Sequence, residues 1–189
     1  MKALQFRFSI PRYAYSKIVG RFRTDAHWDR YSALSYTDIP EPALRGDRWV
    51  RVQTQLSGIC GSDMSALFLK GATDSPLTPF VSFPMVLGHE IVGSVVEVGA
   101  QVRRVQVGQR VVINPMLSCA PRGIEPACSS CATGEFSLCH NFAEGALPPG
   151  MLIGSNNAVN GGYAPALAVH ESQCIAVRVC VWQLHAVLT

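Results

Sequence analysis

The chain has 189 residues, of which 48% are hydrophobic and 15% charged, with a formal net charge of +3. That length allows one domain with a real core, or one and a half at most, and the composition excludes a disordered chain. The charge is too small to argue for nucleic acid by itself, and its scarcity points to some surface covered by further protein. Ten of the sixteen basic residues nevertheless fall within the first 51 positions. There Arg12, Lys17, Arg21, Arg23 and Arg30 are interleaved with Tyr13, Tyr15, Phe22 and Trp28, a mixture that can bind nucleic acid. A solvated excursion or a partner-facing loop is the preferred reading, so no nucleic-acid partner is expected. No stretch approaches the ~18 apolar residues needed to span a bilayer, so no membrane partner is expected. Met1 to Ile10 is broken by Lys2, Gln5 and Arg7, which leaves no apolar region for a secretory leader. The seven cysteines are therefore expected to be reduced thiols in a cytoplasmic protein.

The predicted elements are mostly strands. Met1–Phe8 is a short strand candidate, and the irregular basic excursion follows it. Asp38-Ile39-Pro40-Glu41-Pro42 reads as a rigid extended turn. Val50, Val52, Thr54 and Leu56 then alternate with Arg51, Gln53 and Gln55, the period of a half-buried strand. After Gly58-Ile59-Cys60-Gly61-Ser62-Asp63, the segment Met64–Lys70 suits one or two helical turns, with Ser62 or Asp63 as N-cap. Thr73 to Pro84, with three prolines and no clear period, reads as a loop. Ile91–Val98 and Gln109–Asn114 are strands separated by Gly99 and the turn at Val107-Gly108-Gln109. A cysteine-bearing lobe, Gly-rich loop and two closing strands, Tyr163–Val169 and Cys174–Val181, complete the pattern. No repeat, no long amphipathic helix and no G-x-G-x-x-G followed by a strand–helix–strand run occurs, so a Rossmann domain is absent. Many short strands with Gly and Pro turns predict a mainly β, barrel-like domain with short helices.

The strongest chemical signal is Cys119, Cys128, Cys131 and Cys139, spaced C-x8-C-x2-C-x7-C. A C-x2-C knuckle supplies two sulfur donors from one tight turn, and four thiolates form a closed tetrahedral zinc site. The spacer Ala120–Ala127 holds two prolines and Gly123, so it is able to loop out. Disulfides or buried free thiols are the bland alternative. Such a site would hold the lobe together, because metal binding is itself folding free energy. It would do no chemistry, having no open coordination position. A second, looser set is Cys60 with His89-Glu90, mixed sulfur, nitrogen and oxygen donors at a loop-to-strand junction. Cys174 and Cys180 have no partner spacing and read as core or edge thiols.

These motifs resemble the zinc-dependent branch of the medium-chain dehydrogenase/reductase family, the alcohol and polyol dehydrogenases. Gly88-His89-Glu90-x2-Gly93-x5-Gly99-x2-Val102 matches that family's zinc signature at every fixed position. Gly58-Ile59-Cys60-Gly61-Ser62-Asp63 looks like its first catalytic-zinc motif, and the cysteine lobe is similar to its structural-zinc lobe. Gly161-Gly162-Tyr163-Ala164 resembles the segment that ends its catalytic domain. The resemblance implies a GroES-like β-barrel over residues 35–175, with a zinc lobe at 115–145. Residues 1–34 are taken as part of the same domain, and 176–189 as an atypical tail where a cofactor domain would begin. It implies that Cys60, His89 and Glu90 ligate a catalytic zinc, with Asp63 holding the imidazole tautomer. It further implies that Ser62 hydrogen-bonds the substrate hydroxyl and passes its proton outward. Bound zinc would lower the pKa of a small alcohol or polyol, and hydride would pass to nicotinamide. One structural and one catalytic zinc are expected, with NAD(P) only in a full-length relative.

The sequence departs from the family pattern in places. The first cysteine spacer is eight residues where two is usual, and Ser65 stands where many members carry a proton-relaying histidine. Related chains usually turn through a Pro-Asp-Gly-like segment and continue with Glu-Pro, whose Glu can be the fourth protein ligand of the zinc. Here Ile175–Thr189 has no Gly, Pro or acid, the look of a truncated gene product. The competing expectations are a zinc-binding fragment without turnover and a GroES-like interaction module. An apolar face toward a missing domain would favour oligomers or self-association.

Overall fold

Strand formation is driven by β-branched residues placed where the chain folds back on itself. In the computed structural model, which describes residues 1–70 and 81–177, two antiparallel sheets form. The smaller has the order β2-β1-β4, built from β1 (Lys2–Phe6), β2 (Leu34–Asp38) and β4 (Met85–Val86). The larger has the order β7-β3-β5-β6-β8, from β3 (Trp49–Ser57), β5 (Ile91–Val98), β6 (Arg110–Ile113), β7 (Ala166–His170) and β8 (Cys174–Ala176). This is the expected mainly β, GroES-like architecture. Among the described residues no strand pairs in parallel, so the βαβ crossover of a Rossmann domain is not present there. No helix among them is long and apolar enough to cross a membrane.

The main core lies on one face of the larger sheet, where Val50, Val52, Val111, Leu167 and Val169 are fully buried. The alternation read over Val50–Leu56 holds only in its first half, because Leu56 is 62% exposed. The register of β3 on β5 shifts between Arg51 and Val52 and again between Thr54 and Leu56. An irregularity of this kind turns later side chains away from the face that earlier ones share.

Several expectations need correction. The basic excursion is irregular only in its second half: α1 runs Ile10–Val19, with Pro11 in its first turn and Gly20 as C-cap. Its only buried residue is Ser16, whose hydroxyl donates to the Ala26 carbonyl at 3.2 Å, while Ile10 and Ile18 are exposed. A helix docked through a serine carries no apolar stripe for the eye to find. Strand β2 was not anticipated. Tyr163 precedes the strand that begins at Ala166, and β8 ends at Ala176. Most of the Thr73–Pro84 loop, and the tail with Cys180, lie outside the described residues.

One buried charge ties the sheet end together. Glu171 is fully buried and accepts hydrogen bonds from Arg48 Nε (2.8 Å) and the backbone N–H groups of Arg103 (2.7 Å) and Arg104 (2.9 Å). Burial alone would raise its pKa, but those donors outweigh it and hold the carboxyl below its usual range. Its contribution to stability is therefore complete above the ordinary carboxylate pKa and is lost as pH falls through the lower folded value. Glu171→Ala, which leaves the part-buried Arg103 and Arg104 N–H groups without their acceptor, is expected to cost about 2 kcal/mol in denaturant unfolding at neutral pH. The difference from the unmodified chain is expected to shrink in acid.

Candidate metal centres

Antiparallel pairing of β3 with β5 sets the first cluster. Ser57 pairs with Ile91, so the end of β3 lies beside the start of β5. Cys60, just past one strand, thereby meets His89 and Glu90, just before the other. Sulfur, imidazole nitrogen and carboxylate oxygen all lie within 4.8 Å of one another. Cys60 and His89 are partly buried and Glu90 is exposed. The Gly58 N–H donates to the Glu90 carbonyl at 2.8 Å. A Cβ on Gly58 would overlap Glu90 Oε2 and crowd its Cβ at 3.1 Å, so only glycine leaves that carboxylate where it is. Gly88 has φ +91°, a left-handed backbone that turns the chain into His89.

Asp63 is the buried hub of this site. It sits in α2 (Gly61–Leu67), whose N-cap is Cys60 rather than Ser62 or Asp63 itself. Its carboxylate accepts the Cys60 N–H at 3.0 Å, the return half of a capping box. It also accepts the Gly88 N–H at 3.3 Å, which fixes one ligand loop against the other. The His89 Nδ1 lies 3.8 Å from Asp63 Oδ1, beyond hydrogen-bond reach. Ser62 is exposed in the first turn of α2.

Tyr163 was not anticipated as part of the site. Its hydroxyl lies 3.0 Å from both the Gly58 carbonyl and Asp63 Oδ2, so its one proton serves either. Burial, then the negative charge of Asp63, push the phenol pKa up, which keeps it a donor. Its only sequence signal was its place in Gly161-Gly162-Tyr163-Ala164.

The second cluster joins Cys119, Cys128, Cys131 and Cys139, again with all ligand atoms within 4.8 Å. None of these cysteines is disulfide-bonded. The Cys119 and Cys139 sulfurs are 3.7 Å apart, far beyond a disulfide bond. A tetrahedron with Zn–S distances of about 2.3 Å has S···S edges of about 3.8 Å. Backbone donors already face the sulfurs: Cys128 N–H to Cys119 Sγ and Asn141 N–H to Cys139 Sγ, each at 3.4 Å. The Asn141 side-chain amide adds a third, to Cys119 Sγ at 3.4 Å. Three of the thiols differ sharply. The backbone N–H groups of His140 and Cys131 bring Cys128 down to about 6, while burial pushes Cys131 up to about 12 and Cys139 upward. A divalent cation is the species that lets all four ionise together.

The two clusters differ in what they leave open. Four sulfurs complete a tetrahedron, whereas one sulfur, one nitrogen and one carboxylate leave a position free. Two surface grooves of 360 and 440 Å³ lie along residues 39–49, and neither is lined by Cys60, His89 or Glu90.

Residues 46–179 match the model of the alcohol dehydrogenase GroES-like domain. "Probable D-xylulose reductase A" of Arthroderma otae is 35% identical over 117 residues, covering 61% of this chain and 30% of the reductase. D-xylulose reductase A of Aspergillus oryzae is 34% identical over 116 residues, with the same shares of 61% and 30%. Galactitol-1-phosphate dehydrogenase from Escherichia coli superposes with a TM-score of 0.62 at 23% identity, over 95% of this chain and 38% of that one. A "putative zinc-binding dehydrogenase" from Sinorhizobium meliloti 1021, bound to NADP, gives a TM-score of 0.54 at 29% identity, over 77% of this chain and 35% of that one. The chain belongs to the zinc-dependent medium-chain dehydrogenase/reductase family, as an alcohol dehydrogenase GroES-like domain. It spans 30% of the length of each of these two reductases.

Gly58→Ala tests the first cluster without replacing a ligand: its added Cβ displaces the Glu90 carboxylate. The fold is expected to persist, because the displaced atoms end an exposed side chain. Affinity for a metal at Cys60, His89 and Glu90 is expected to fall by about ten-fold in a cobalt titration, with the four-cysteine cluster unaffected.

Proposed function

We propose that this chain carries the substrate-activating site of a zinc-dependent, NAD(P)-linked alcohol or polyol dehydrogenase. The observation that carries this reading is the convergence of Cys60, His89 and Glu90 from two loops, their donor atoms within 4.8 Å, in a domain of this family. Zinc held there would act as a Lewis acid, lowering the pKa of a bound substrate hydroxyl. The remaining work falls to the chain itself. Cys60 and His89 supply the partly buried donors, and Glu90 supplies the exposed one. Asp63 and Tyr163 hold the two loops at a fixed separation, so the donors are set before substrate arrives. Ser62, two residues past Cys60, takes the substrate proton and hands it to solvent. Leu56, Ile59 and Met64, all exposed and flanking Cys60 in sequence, provide an apolar rim for substrate carbon and nicotinamide. The four-cysteine cluster holds a second, purely structural zinc.

The substrate class rests on the names of the relatives, a xylulose reductase and a galactitol-phosphate dehydrogenase. Nicotinamide is expected to be held by a nucleotide-binding domain of the kind that the NADP-bound neighbour implies. A second reading, a zinc-binding module without turnover of its own, is favoured by the all-antiparallel pairing of the described strands.

Metal analysis of the reduced, folded chain is expected to give two zinc ions, one tightly held and one exchangeable. His89→Ala should lose only the exchangeable ion. Cys131→Ser should lose the tight one and lower Tm, since that ion contributes folding free energy. Unchanged zinc content in both variants would overturn the assignment. Nicotinamide binding by fluorescence tests the second reading: binding by this chain with two zinc ions present would overturn the module without turnover.

A further inference from the structure

The spacer between Cys119 and Cys128 holds a charge that neither the strands nor the metal donors require. Arg122 is fully buried, at 0% exposure. Its Nε donates to the Leu117 carbonyl at 2.8 Å, and Nη1 to the Glu144 and Leu147 carbonyls at 2.9 and 3.0 Å. Both Nη atoms reach the Pro148 carbonyl at 3.3 Å, and Nη2 also donates to the Gly150 carbonyl. Every acceptor is a neutral backbone oxygen. No carboxylate pairs with this guanidinium among the described residues. A buried cation solvated only by carbonyls still lacks a countercharge, and such a group is costly to keep.

The cysteine cluster is held by the same segments that cradle this guanidinium. The N–H groups of Arg122 and Ile124 both donate to the Cys119 carbonyl, at 3.1 and 3.0 Å. Glu144, whose carbonyl takes Arg122 Nη1, donates its own N–H to the Asn141 carbonyl at 3.2 Å. Asn141 in turn donates to the Cys119 and Cys139 sulfurs. Cluster and guanidinium thus share one hydrogen-bonded lobe.

We propose that Arg122 is the internal counter-ion of the four-cysteine metal site. Four thiolates around a divalent cation carry two net negative charges, and the buried guanidinium offsets one of them. The proposal rests on the reading that this cluster holds zinc. Arg122 is a positioning residue: it touches no ligand sulfur, and acts through its field and through the carbonyls that fold the lobe. Loss of the metal with protonation of the thiols would leave a buried cation uncompensated, so the lobe opens when zinc leaves.

The test compares the full reduced chain with Arg122→Gln and Arg122→Lys, using zinc alone against a chromophoric chelator. Folding is scored separately by near-UV circular dichroism at saturating zinc. Arg122→Gln is expected to weaken the tight zinc by roughly 10–100-fold. It should also shift acid release of that zinc to higher pH, because protons then compete better for the thiolates. Arg122→Lys, which keeps the charge but cannot serve all the carbonyls, should recover most of the affinity and restore the release pH. Equal losses in the two variants, or no loss in Gln, would overturn the counter-ion and leave the metal site standing. No tight zinc in the unmodified chain would instead overturn the metal reading, and the proposal with it. Should Arg122→Gln fail to fold, Arg122→Lys decides alone. Affinity held within about ten-fold supports the proposal, and a larger loss in a folded protein sinks it.

Discussion

The pairing of β3 with β5 is the contact on which the open site depends. In an antiparallel pair the end of one strand lies beside the start of the other, and here those ends carry Cys60 on one side and His89-Glu90 on the other. Donors thus become neighbours through a ladder of backbone bonds rather than through any attraction of their own. The ladder is only as good as its last rung, the Gly58 N–H to the Glu90 carbonyl. Beyond it the strands part, and Asp63 takes over by accepting one N–H from each loop. A charged acceptor suits this position because charge-assisted bonds are stronger and shorter than neutral ones. Tyr163 seals the same carboxylate from the direction of β7, so three separate segments fix one ligand geometry.

The cysteine lobe is built on a different principle. Its helical content is the short α3 (Ser129–Ala132) and one 3-10 turn, Phe136–Leu138, and neither contains a buried residue. The residues it does bury include two thiols and a guanidinium, Cys119, Cys139 and Arg122. With so little apolar surface removed from water, hydrophobic burial contributes little there. The lobe is a polar object whose parts are each unfavourable alone: thiols held near N–H donors, and a cation surrounded by carbonyls. A divalent cation would let the thiols ionise together, and the net-negative cluster so formed would be the countercharge for the guanidinium. That is why the lobe and its ion are best regarded as one folding unit.

What could be read from the sequence follows the same division. Donor residue types at short spacing are visible without a structure, because metal chemistry restricts them to few side chains. All seven ligand candidates fall into the two clusters they were assigned to. Strands β5 and β6 were legible within a residue or two because their apolar periodicity reflects one buried face. Helix α1 was not, since it docks through the Ser16 hydroxyl and leaves isoleucines exposed. Arg122 was also missed, hidden in a stretch that spacing alone marks as a dispensable loop. Tyr163 and Glu171 share that fate: a buried polar group is identified by its partners, and those lie 67 to 123 residues away, in Asp63, Arg48, Arg103 and Arg104.

The two clusters show why the same metal would behave differently in one domain. Around Cys119 four sulfurs would fill every position of a tetrahedral ion, and the surrounding N–H donors favour ionised ligands, so an ion there would have no position to offer a substrate. Around Cys60 the donors are mixed, one is a solvent-exposed carboxylate, and the hub Asp63 spends its oxygens on the loops rather than on the imidazole. Such a site would hold an ion less tightly and keep a position open. Tight binding and an open position pull the ligand set in opposite directions. A chain that needs both a staple and a Lewis acid must therefore build them apart, the first from a self-contained loop and the second across two strand ends.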